Sequence, residues 1–89
     1  MELKDGTYIK LGRHAERVEL NHGYWVGTKE VELGSINNGT LFGVWEDDAG
    51  KIWLDLVSYV EDLETALALG KRYDQLAIYD NYNKEAINL

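Results

Sequence analysis

From Lys51 to Val60 the chain reads KIWLDLVSYV, and its side chains alternate without a break. Ile52, Leu54, Leu56 and Val60 fall on one side of an extended strand, and Trp53, Asp55, Val57 and Tyr59 on the other. The segment after it changes period. Leu63, Ala66, Leu67 and Gly70 recur at helical spacing, so LETALALGKRY predicts a helix over about residues 62–73 with one apolar face. Asp62 stands where an N-cap is wanted, Glu64 lies in the first turn, and Lys71 and Arg72 lie in the last.

Upstream, glycines punctuate short β-branched and aromatic runs, the pattern of successive strands and turns. GTYIKLG predicts a first strand. ERVEL and YWVG flank the turn NHG, and KEVEL and LFGVW flank GSINNGT, whose Asn38-Gly39 pair suits positive φ. QLAIYD returns as a strand after the helix, and EAINL follows the turn NYNK as a short edge strand. Together these predict an α+β fold: an antiparallel meandering sheet, one helix packed on it, then a C-terminal strand or hairpin. The crossover helix allows QLAIYD to run parallel to KIWLDLVSYV.

Eighty-nine residues fit a single domain, residues 1–89, with one modest core. The chain has no cysteine and no proline, so neither disulfides nor thiolate chemistry is on offer, and a reducing cytoplasm suits it. The opening MELKDGTYIK lacks the basic flank and apolar run of a leader peptide, and no apolar run approaches the ~18 residues of a membrane span. The net charge is −7, which disfavours direct contact with nucleic acid or anionic lipid. Its distribution matters more. Between Glu46 and Glu64 lie seven acids and a single base, Lys51.

The stretch FGVWEDDAGKIWLD concentrates this charge at Glu46, Asp47 and Asp48. As a calcium loop it fails: with Gly50 at the glycine position, Trp45, Ala49 and Leu56 occupy ligand positions. As a hairpin it works, with Asp47 and Asp48 starting the turn and Gly50 in the left-handed region. A turn can also be a recognition surface. Glu46, Asp47, Asp48 and Asp55 join Glu61, Asp62 and Glu64 in one acidic track if the helix start lies near the hairpin. Trp45, Trp53 and Tyr59 are the aromatic anchors such a surface would use, since Trp53 and Tyr59 share the strand face opposite the aliphatic row. That face serves a partner or a homodimer seam. His14 and His22 lack partners at diagnostic spacing, and neither Ser35 nor Ser58 sits in a nucleophile context. Asp55 stands out because it interrupts an apolar strand; facing solvent or pairing with a cross-strand lysine accounts for it more simply than catalysis. No metal or cofactor set emerges.

From Gly43 onward the sequence resembles small uncharacterised proteins of bacteriophages and mobile elements. The residues that carry this are GVWEDDAGKIWLD, VEDLETALALGKRYDQLAIYD and the ending NKEAINL, with GYWVG a weaker echo upstream. The resemblance implies a phage or prophage setting, where small acidic proteins inhibit host nucleases, but no activity that maps onto single residues. The expectation is a non-enzymatic cytoplasmic inhibitor, anti-CRISPR or antirestriction-like. It would present its acids to the basic surface of a host nuclease or defence complex. The alternatives are a homo-oligomeric accessory module and a domain that stacks a nucleotide-like ligand.

Overall fold

The computed structural model describes residues 4–89; the first three positions of MELKDGTYIK lie outside them. Along the chain come β1 (Gly6–Leu11), β2 (His14–Arg17), β3 (Tyr24–Glu30), a 3-10 turn (Leu33–Ser35), β4 (Leu41–Glu46), β5 (Ile52–Val60), α1 (Leu63–Arg72), β6 (Ala77–Asp80) and β7 (Glu85–Asn88). The strands form one sheet in the order β2-β1-β4-β5-β3-β6-β7, antiparallel at every pairing. The fold is α+β, as the patterning predicts. No helix among the described residues is long and apolar enough to cross a membrane.

Local chemistry explains the elements that match expectation. In the β4–β5 hairpin, Gly50 takes φ 83° and its N–H bonds the Asp47 carbonyl at 3.0 Å. Asp62 caps α1, its Oδ2 accepting the Thr65 N–H at 2.9 Å. Asp80 closes the β6–β7 turn. Burial works against its carboxylate, yet donors from Asn83 and Tyr82 hold its pKa below the ordinary value.

Two expectations change and one is narrowed. ERVEL and YWVG do not pair across NHG: the strand is the earlier HAER, which folds back on β1 through a two-residue Gly12–Arg13 turn. Gly12 supplies the positive φ (63°) that such a turn favours. The charged β2 then occupies a sheet edge, where charge discourages further pairing, while Trp25 and Val26 of β3 are buried on the far side of β5. Nor is KEVEL a separate strand. Its first two residues complete β3 beyond a bulge between Gly27 and Lys29, and Val31, Leu33 and Ile36 turn inward as a cover for the core. Finally, β6 runs parallel to β5, as the crossover allows, but does not pair with it, because β3 lies between them and pairs with both.

The cross-strand register assigns each side chain to a face. On one face, Tyr8, Phe42, Val44 and Leu54 pack under Val31, Leu33 and Ile36. Farther along the same face, Tyr24, Val26, Val60 and Ile78 pack under Ala66, Leu67 and Leu69 of α1. The helix approaches closely because Gly70 has no side chain; a Cβ there would stand 2.9 Å from Ile78 Cγ2 and 2.6 Å from Leu89 Cδ1. Leu63, expected on this apolar face, is 41% exposed in the first turn. Loop and helix thus cover one face from its two ends. Both covers lie on the same side; the other face carries no loop or helix over β4 and the hairpin half of β5, while Trp25 on that face is buried in β3.

Candidate functional site

The open face is built by residues that alternate with the core. Register pairs Trp45 with Trp53, Gly43 with Asp55, Glu30 with Asp55, Gly27 with Val57, and Trp25 with both Tyr59 and Tyr79. Trp45, Trp53, Asp55 and Tyr59, picked out in the sequence, therefore share one surface. Trp45 and Tyr79 are about 40% exposed, while Trp53, Asp55 and Tyr59 are half-buried.

The two indoles at the hairpin end lie nearly parallel, with centroids 5.8 Å apart at 15°. Their N–H groups go to different acids. Trp53 Nε1 donates to Asp47 Oδ2 at 3.0 Å, and Trp45 Nε1 makes a long bond of 3.4 Å to Asp55 Oδ2. Lys51 places its ammonium 4.0 Å from the Trp53 ring centroid, so the stacked pair already accepts a cation on one side. At the opposite end, Tyr59 meets His22 Nδ1 at 2.6 Å and stands edge-on to Trp25.

Between these aromatic groups lie two glycines, and neighbouring side chains cover both: Val57 Cγ1 stands 3.1 Å from where a Cβ on Gly43 would be. Gly43 stands directly opposite Asp55 on one side, and Gly27 is diagonal to it on the other. Gln75 folds its carboxamide over Gly27, with Oε1 2.9 Å from where a Cβ would stand. Asp55 stands between these covered positions, bonded to Trp45 and opposite Glu30 in the register. No lysine lies opposite it, contrary to the cross-strand pairing considered above. Among the described residues no cation forms an ion pair with either carboxylate; the ion pair seen is Arg17–Glu19 at 2.9 Å. Desolvation raises the Asp55 pKa above its ordinary value; the Trp45 bond opposes this, and the nearby Glu30 charge reinforces it.

The remaining acids divide into two groups. Glu46, Asp47 and Asp48 lie at the hairpin tip, and Glu61, Asp62 and Glu64 at the start of α1. These are opposite ends of β5, whose nine residues span roughly 27 Å at ~3.3 Å per residue. The helix start does not adjoin the hairpin, so the two groups form separate acidic ends instead of one track. Their carboxylates also differ in availability. Asp47 Oδ1 accepts the Ala49 and Lys51 N–H groups at 2.9 Å. The Trp53 indole bond, with these backbone bonds, holds the Asp47 pKa low. Asp62 is occupied as the helix cap and its pKa is likewise lowered, by the Thr65 backbone bond first. Glu46, Asp48, Glu61 and Glu64 remain exposed.

Trp25, Tyr79, Glu30, Gly27 and Gly43 join this surface without having been singled out in the sequence. They reach it only through the β3–β5, β4–β5 and β3–β6 pairings, which local periodicity does not specify. Among the described residues, no group of three or more His, Cys, Asp or Glu is arranged to hold a metal ion. A shallow open cleft of about 340 Å³ lies beside the site at Lys29–Glu32 and Ser35. No family model matches the chain, and neither a curated protein nor a solved structure gives a significant match.

Proposed function

We propose that the chain is a non-enzymatic binding protein that receives a basic protein surface on its open sheet face. The supporting observation is the placement of Trp45, Trp53, Asp55 and Tyr59 on one uncovered face, with Asp55 lacking a cationic partner within the described chain. Aromatic side chains supply contact area and anchors. The acidic ends of β5 supply long-range attraction that speeds encounter with a basic partner. In a phage or prophage setting, the partner class that fits is a nucleic-acid-handling complex of host defence, whose phosphate-binding surface is basic. Occupying that surface would inhibit the complex, in the manner of an anti-CRISPR or antirestriction protein.

Self-pairing through the same face is less well supplied. A two-fold dimer would bring the Asp55–Glu30 pairs of two copies toward one another, with no cation between them. The same carboxylates would repel the phosphates of a nucleotide-like ligand.

Affinity capture from bacterial lysate tests the proposal. Wild type is compared with Glu46→Gln/Asp48→Asn/Asp55→Asn at low and high salt; Asp47 is left intact because it holds the turn. Capture of a basic nucleic-acid-handling protein by wild type, lost in the variant and weakened by salt, is the expected result. Equal capture by both proteins at every salt concentration would refute the proposal.

A further inference from the structure

The seven-stranded sheet has two edges and guards them unequally. β2 forms one edge, and three of its four residues, His14, Glu16 and Arg17, are polar or charged, which discourages a further strand from pairing there. β7 forms the other, with Glu85 as its single charged residue beside Ala86, Ile87 and Asn88. Its register with β6 is regular, without a bulge, and among the described residues it pairs with β6 alone. The direction of its backbone groups follows from one bond. Leu89 donates its N–H to the Leu76 carbonyl at 3.0 Å. By the alternation of an antiparallel pair, Ile87 also turns its backbone groups toward β6, and Ala86 and Asn88 turn theirs outward. The Ile87 side chain belongs to the cluster under α1, yet it is only half-buried and no strand lies beyond it.

We infer that β7 pairs with β7 of a second copy, antiparallel about a two-fold axis at Ile87, so that two sheets join edge to edge. The backbone sets the register. A two-fold axis normal to the sheet matches residues on the same face, and the hydrogen-bonded pairs must use outward groups. Placing Ile87 opposite the partner's Ile87 meets both conditions. Ala86 then exchanges N–H and carbonyl with the partner's Asn88, and the symmetric pair does the same. The two Ile87 side chains meet in the pair without hydrogen bonds, where side chains lie closest, and the apolar cluster of Val26, Ile78 and Ile87 continues across the axis. An axis at Ala86 would require Lys84 to pair, and its φ of 57° takes it out of the strand. Charge favours the same register. Glu85 falls opposite the partner's Leu89, and the two Glu85 residues stand roughly 14 Å apart, beyond the ~10 Å screening length at about 0.1 M salt. The open face stays uncovered in this dimer, so the contact is separate from the proposed partner surface and does not rest on it.

An edge of four residues buries less than the ~1,200 Å² of a standard interface, so the dimer is weak. The net charge of −7 on each copy opposes association; salt should therefore strengthen the dimer, whereas it weakens capture of a basic partner. The test is sedimentation velocity with amide hydrogen exchange on the full chain, from ~1 μM to ~1 mM. The expected result is a monomer–dimer equilibrium in which the Ala86 and Asn88 amides gain ~10-fold protection with concentration, while the Ile87 amide, already turned to β6, is protected throughout. Ala86→Pro should abolish the dimer, because proline removes an outward N–H that the monomer does not use. Two charge variants keep the test independent of that change in the backbone. Ala86→Lys/Asn88→Lys sets like charges opposite each other across the axis and should weaken the dimer several-fold. Ala86→Lys/Asn88→Glu sets opposite charges there and should retain or tighten it. A monomer at every concentration and salt would overturn the inference. So would a dimer whose Ala86 and Asn88 amides exchange as fast as in the monomer, or equal association by the two charge variants.

Discussion

Replacing Asp55 with asparagine should make the protein more stable, an unusual outcome for a residue in the middle of a central strand. Asparagine keeps the shape and an acceptor oxygen for Trp45 Nε1, so packing and the 3.4 Å contact survive. What disappears is a half-buried negative charge opposite Glu30. A like-charge pair across a sheet costs up to ~1 kcal/mol, and partial solvent screening reduces this, so the gain at pH 7 is about 0.5–1 kcal/mol. For a domain this size the corresponding rise in Tm is roughly 2–8 °C. The pH dependence has a definite sign. The native pKa is raised by desolvation and by Glu30, so the native state holds its proton more tightly than the unfolded chain. Below the unfolded value of 3.8, both states are protonated and acid and amide should be nearly equal in stability. As pH climbs through the raised native value, wild type falls behind. Thermal unfolding followed by circular dichroism at pH 3 and pH 7, in low and high salt, measures the difference. The advantage should grow from pH 3 to pH 7 and shrink in high salt. A variant less stable than wild type at pH 7 would refute the reasoning, because Asp55 would then be supporting the fold.

Asp47→Asn should have the opposite effect and lower the Tm, since the carboxylate accepts from Ala49, Lys51 and Trp53. Its native pKa is depressed, so this stabilisation is present above the unfolded value of 3.8 and is lost as pH falls through the native value; the two proteins should converge in acid. Gly70→Val should destabilise by about 1–3 kcal/mol through overpacking against Ile78 and Leu89, measurable by urea denaturation. Phe42→Ala should cost ~3–5 kcal/mol in the same assay, because Phe42 is fully buried under the 31–36 segment; a smaller loss would mean that this segment collapses into the space.

Where neighbours in sequence decide structure, the chain could be read directly. KIWLDLVSYV alternates because one face of β5 meets the core, and Asp62 marks a helix start because its side chain bonds a backbone N–H three residues on. Asp47 and Gly50 likewise mark their turn. Strand order was less visible. Nothing near NHG shows that β2 and β3 lie in separate parts of the sheet; that follows from burying Trp25 and Val26 near its middle. The candidate site was legible in the same uneven way. Alternation put Trp53, Asp55 and Tyr59 on one face, but Glu30, Gly43 and Trp25 reach them only through long-range pairing. The acidic track depended on a meeting between hairpin and helix start that the uninterrupted length of β5 prevents.

The central claim is that the open face of the sheet, and not the helix, is the contact surface. Amide and indole NMR footprinting of the protein with its captured partner addresses this most directly. Perturbation centred on Trp45, Trp53, Asp55 and Tyr59, with the outer side of α1 unaffected, is the predicted result. Perturbation confined to α1, with the open-face indoles unchanged, would contradict it.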